Sequence, residues 1–173
     1  MDVFLEILKF ALPSIFLLVM TYLMLSNFMD NEEKRRMYFL KKETQKSALP
    51  IRMQAYERLA LFLERITLDR LLVRVPARKM NTETYSRVLV DLIRQEFEHN
   101  LSQQIYVSEN TWKMVVRAKS TTVTLVNNTA NELSPQTPGI ELSKKLLNHI
   151  MEMEAYPTKQ ALSYLKGEVA RNF

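Results

Sequence analysis

The sequence predicts an all-α protein: one N-terminal transmembrane helix followed by a small cytoplasmic helical bundle. Three observations predict it. The stretch FALPSIFLLVMTYLMLSNFM, Phe10 to Met29, carries no charge, and a helix of that length rises about 30 Å, the thickness of a bilayer's hydrocarbon core. Beyond Asp30, apolar residues recur three and four apart in several segments, the period of amphipathic helices. The 173-residue chain has only two glycines and six prolines, too little turn chemistry for a set of short strands.

A cleaved signal peptide fits the apolar stretch poorly, because Asp2 and Glu6 precede it and no small-residue cleavage site follows it. A buried core helix would carry a polar stripe, and this one is apolar all round. Lys34, Arg35, Arg36, Lys41 and Lys42 follow the span closely, whereas Lys9 precedes it. Basic residues stay on the cytoplasmic side, so the N-terminus is expected outside and the C-terminal domain in the cytoplasm. The expected layout is a transmembrane anchor over 1–29, a charged juxtamembrane helix over 30–48 and a cytoplasmic α-helical domain over 49–173.

From Asp30 to Ser47 the chain is rich in helix formers, with an apolar band Met37–Leu40 among the charges. Pro50 either kinks that helix or opens a new one. Over LPIRMQAYERLALFLERI, Tyr56, Leu59, Ala60, Leu63 and Ile66 share a face, and Thr67 is placed to cap a short continuation that ends before Pro76. Asn81 or Thr82 caps a helix to about Leu101, its face Tyr85, Val88, Leu89, Leu92, Ile93, Phe97 and Leu101. After a break near Ile105–Ser108, Ser108 caps a longer helix striped by Trp112, Val116, Val123, Val126, Ala130 and Leu133. The β-branched run TTVTLV within it keeps helical spacing. SPQTPG is a loop. Leu142, Leu146, Ile150 and Met153 then mark one helix, and Pro157 opens another with Leu162, Leu165, Val169 and Phe173. These two are expected to close the domain as a hairpin.

Chemistry is sparsely signalled. There is no cysteine, which removes disulfides and thiolate metal sites. Two glycines cannot build a phosphate-binding loop or a dinucleotide fingerprint, and no serine sits in a nucleophile elbow. Glu96 and His99 form a Glu-x-x-His pair on one helical face. Di-metal bundles need two such motifs plus two further glutamates, so this metal reading is the weaker alternative to a solvated polar face. No cofactor is expected. Arg70, Arg74, Arg78 and Lys79 bracket a connection and could form one basic edge for nucleic acid or ribosome; the net charge of +5 is modest and mixed with acids, which favours solvated charge. Ten methionines suit adaptable contact surfaces.

The segments MDVFLEILKFALPS, LPIRMQAYERLALFLERI and EFEHNLSQQIYVSENTWKMV resemble a bacterial domain-of-unknown-function family of small single-span membrane proteins. The resemblance covers nearly the whole chain and implies a membrane anchor plus a helical cytoplasmic domain, without an activity. The expectation is therefore a non-enzymatic adaptor or accessory subunit at the bacterial inner membrane, its partners the lipid bilayer and another protein. The contact surface is expected at Arg52, Tyr56, Arg58, Phe62, Glu96, His99, Gln103 and Tyr106.

Overall fold

The computed structural model describes residues 2–153 and 156–172, the side chains of 2–11, 45, 47 and 172 excepted. The side chains of Lys9 and Phe10, and Phe173, therefore lie outside the described residues. Six α-helices account for most of the chain: α1 Asp2–Ile66, α2 Leu68–Arg74, α3 Thr82–His99, α4 Glu109–Asn131, α5 Gly139–Glu152 and α6 Pro157–Asn172, with a 3₁₀ helix over Leu101–Ile105. No strand occurs among the described residues; one antiparallel bridge joins Asn81 and Pro138. The protein is all-α, as its spacing and scarcity of glycine predict.

The chain divides into two compact units, Met1–Leu49 and Pro50–Phe173. The first is a stretch of α1 alone, and all its described side chains are exposed, from Leu12 through Leu49. It carries the apolar part of α1, the one described helix long and apolar enough to cross a membrane. Thr21 hides its hydroxyl there by donating to Leu17 O at 2.7 Å, the local bond that makes threonine tolerable in an apolar helix. Pro50 lies inside α1 rather than opening a new helix. Without an N–H it cannot donate to the hydrogen-bond ladder, and the boundary between the units falls at that residue.

The second unit is a helical bundle around one core. From α1, Tyr56, Leu59, Phe62, Leu63 and Ile66 are buried; α2 adds Leu68 and Leu71, α3 Tyr85, Leu89 and Ile93, and α5 Leu142 and Leu146. Each set repeats at three- and four-residue spacing, so each helix buries a stripe and leaves charge outside. α4 departs from the expected stripe. Its buried residues are Thr111, Val115, Ala118, Thr122, Val126 and Thr129, whereas Trp112, Val116, Val123, Ala130 and Leu133 are only half-buried. Small side chains let helices approach closely, and the threonines keep their hydroxyls satisfied: Thr122 donates to Ala118 O and Thr129 to Leu125 O, both at 2.8 Å. A reading weighted to large apolar residues places this face one residue off.

The expected hairpin of α5 and α6 is not the packing found. α6 packs chiefly on α4, and α5 chiefly on α3, with further contact to α2 and α4. The reason lies in the loop before α5. Thr82 N donates to Thr137 O at 2.7 Å and Gly139 N to Met80 O at 2.9 Å, so backbone bonds tie SPQTPG to the start of α3. Gly139 lets the two segments approach closely at that seam. A Cβ on it would lie 3.0 Å from Tyr85 Cβ and 3.1 Å from Met80 O.

The caps at Asn81 and Ser108 fall where the sequence places them. Asn81 accepts from Thr84 N at 2.9 Å and Ser108 from Thr111 N at 3.2 Å, satisfying donors that a helix start leaves free. Thr67 precedes α2 but does not cap it with its side chain. Its hydroxyl instead donates to Leu63 O at 2.8 Å and meets the Thr158 hydroxyl at 2.9 Å.

Candidate functional site

The residues expected to form a contact surface separate into two sets. Tyr56, Phe62 and Gln103 are buried and cannot meet a partner. The first two fall on the buried stripe of α1, and Gln103 is turned inward by the 3₁₀ helix. Arg58 and His99 are exposed, and Arg52, Glu96 and Tyr106 are half-buried.

Tyr56 belongs to a polar centre inside the bundle that the apolar pattern did not reveal. Its hydroxyl donates to Glu168 Oε1 at 2.7 Å. Ser108 N donates to the same oxygen at 2.9 Å, while the hydroxyls of Ser108 and Thr111 donate to Oε2. Arg52 extends the network, with Nη2 3.2 Å from the Tyr56 hydroxyl and Nε 3.4 Å from Tyr106 O. Glu168 is 4% exposed. Burial by itself pushes its carboxyl upward, but the hydrogen bonds from Ser108, Thr111, the Ser108 N–H and Tyr56 outweigh it and bring the pKa down to about 2, because each stabilises only the charged form. The carboxylate also sits at the N-terminus of α4, where the helix dipole favours negative charge. All four of its bonds are to the protein itself, so Glu168 ties α1, α4 and α6 together. The available sequence signal was its register: Thr158, Ala161, Leu165 and Glu168 repeat at three and four residues on α6.

Glu96 and His99 line a 290 Å³ cleft with Arg65, Leu92 and Gln95. Glu96 Oε1 lies 3.1 Å from Arg65 Nε and 3.2 Å from Arg74 Nη1. Two guanidinium groups thus converge on one oxygen of the Glu96 carboxylate. Among the described residues, no three His, Cys, Asp or Glu side chains are grouped so as to hold a metal ion. Nearby, Phe97 stacks on Trp112 with ring centroids 5.5 Å apart, leans on Phe62 at 5.9 Å, and receives Lys119 Nζ at 4.8 Å. It joins α1, α3 and α4 at their shared edge.

The expected basic edge is split. Arg70 pairs with Glu64 at 3.0 Å and Arg74 with Glu96. Arg78 and Lys79 have no ion pair among the described residues, and they line a separate 480 Å³ cleft with Leu72, Pro76, Met80 and Ile140. Lys79 holds the turn between α2 and α3 in the left-handed region, at φ 59°, a conformation uncommon outside glycine, asparagine and aspartate. The topology residues Lys34, Arg35, Arg36, Lys41 and Lys42 are exposed along α1, with Arg35 3.9 Å from Glu32.

No curated protein and no solved structure matches this chain. A sequence model of the family of unknown function DUF7935 matches residues 2–172. Nearly every residue from the apolar stretch to the end of α6 falls within that match, and the chain belongs to this family.

Proposed function

We propose that the protein is a membrane-anchored, non-enzymatic helical adaptor that holds a partner protein at the cytoplasmic face of a bacterial inner membrane. The observation that carries the proposal is the exposed apolar length of α1. Its large side chains from Leu12 to Met29 are uncovered, and a bilayer is the medium in which such a helix is stable, all its backbone bonds being internal. The basic residues after Asp30 support the cytoplasmic placement of the bundle. Tethering raises the local concentration of whatever the bundle holds, so a weak contact suffices.

The chain's lack of cysteine makes a clean test available. Single-cysteine variants Asp2→Cys and Ser102→Cys are treated with a membrane-impermeant maleimide in intact cells and after lysis, alongside an alkaline carbonate wash. The proposal expects the protein to stay in the washed membranes, Asp2→Cys to label in intact cells, and Ser102→Cys to label only after lysis. Release by carbonate would overturn the anchor, and the reverse labelling would overturn the orientation. A mild-detergent pull-down, with metal assayed on the same eluate, tests the rest. One stoichiometric protein partner without metal supports the adaptor; stoichiometric metal without a partner overturns it.

A further inference from the structure

The bundle carries an exposed apolar strip that its own packing does not use. On α5, Leu142 and Leu146 face the core, while Ile140, Leu147 and Met151 point outward and are 50%, 39% and 80% exposed. Residues seven and eleven positions beyond Ile140 return to the same side of a helix, so the three form one strip about 16 Å long, three turns. Ile140 also forms part of the 480 Å³ cleft, whose other apolar walls include Leu72, Pro76 and Met80. Strip and cleft are thus continuous, long enough to receive three turns of a partner helix with an anchoring side chain in the cleft.

Charge indicates which partner fits. Around the strip, Lys144 is paired with Glu141 at 2.9 Å and Lys145 with Glu132 at 2.6 Å. Arg78 and Lys79, in the lining of the cleft, have no ion pair among the described residues. At the far end of the strip Glu152 is exposed beside Met151, so the uncompensated positive charge lies at the cleft end, where it complements a segment that is apolar on one face and acidic beside it.

We infer that the α5 strip and its adjoining cleft form the docking site for an acidic amphipathic helix of a partner protein. This rests on the adaptor reading and assigns its contact surface, away from Arg58 and His99.

The test uses the full chain in its own membranes, with a benzophenone amino acid placed at Leu147 or, as a control face, at Arg58. Cross-linked peptides are sequenced by mass spectrometry. The inference expects the Leu147 probe to capture one segment with acidic residues beside apolar ones at helical spacing. The double variant Arg78→Glu, Lys79→Glu should lower its yield at least about tenfold, since like charges brought together cost more than 1.4 kcal/mol. Circular dichroism checks that the variant folds, and Arg78→Gln, Lys79→Gln replaces it if not. Adducts only to lipid or to a second copy, a captured segment lacking acids, or a yield indifferent to the charge change would each overturn the docking site. Protein capture at Arg58 with none at Leu147 would overturn this site and leave the adaptor standing. Capture of protein at neither position would overturn both.

Discussion

Glu168→Gln isolates the polar centre, because it removes a charge while nearly preserving shape. In the native bundle the carboxylate accepts from Tyr56, from the Ser108 N–H and from two hydroxyls. An amide keeps one acceptor oxygen and turns an NH₂ toward two of those donors. Losing charge-assisted bonds and stranding buried donors costs about 1–3 kcal/mol each, partly recovered where a hydroxyl rotates to another acceptor. Proton linkage expresses the same bonds as a pH-dependent magnitude. A carboxyl held at about 2 when folded, against an ordinary 4.5, contributes about 3 kcal/mol at neutral pH. A loss of about 3 kcal/mol falls within the range expected for the bonds and is a large share of a small domain's stability.

The pH dependence has a definite sign. Between pH 4.5 and 2 the unfolded chain binds a proton at this position that the folded bundle refuses, so acid favours unfolding. The contribution is complete above about pH 4.5 and is lost as pH falls through 2. Urea unfolding of the full chain in mild detergent, followed by the fluorescence of its single tryptophan, Trp112, measures it at a series of pH values. Wild type should exceed Glu168→Gln by about 3 kcal/mol at pH 7, and the gap should close toward pH 2. A difference below about 0.5 kcal/mol at pH 7, within the range of ordinary surface changes, or a gap that stays constant down to pH 2.5, would refute the assignment of Glu168 as a charged cross-link.

The two glycines should respond with opposite signs to the same substitution. Gly139→Ala forces a Cβ against Tyr85, Met80 and Ala77 and should destabilise by about 1–2 kcal/mol. Gly167→Ala, whose Cβ would meet nothing within 4 Å inside α6, should stabilise by about 0.5–1 kcal/mol; equal shifts in the urea midpoint would refute the packing of the α3–α5 seam. Phe97→Ala should cost about 2–3 kcal/mol and shift Trp112 emission to the red, as removal of the stacked ring admits water; an unchanged emission maximum would contradict the stacking. Asn81→Ala should cost about 1 kcal/mol by uncapping α3, measured by the same unfolding transition.

Much of the fold was legible because helices are written locally. An apolar stretch without charge, a cap residue before a periodic run, and a loop rich in proline and serine are properties of neighbouring residues, and α1, α3, α4, α5 and α6 lie where such signals put them. The contact surface was less legible for the same reason. Tyr56 and Phe62 look like anchors when α1 is read alone, yet both sit on its buried stripe. Glu96 and His99 share a face of α3, but only the folded bundle brings Arg65 and Arg74 to Glu96 Oε1.

By itself, the sequence determined the all-α class, the apolar span and the order of the helices, since periodicity and composition specify each element separately. The tertiary structure decided which helix packs on which, placed threonine rather than valine at several core positions of α4, and buried Glu168 as a tie between helices. It also left Ile140, Leu147 and Met151 uncovered, with Ile140 in one cleft with Arg78 and Lys79. The physical reason is distance along the chain: Tyr56 and Glu168 are 112 residues apart, and no local pattern records which donors will surround a carboxylate once the helices have closed around it.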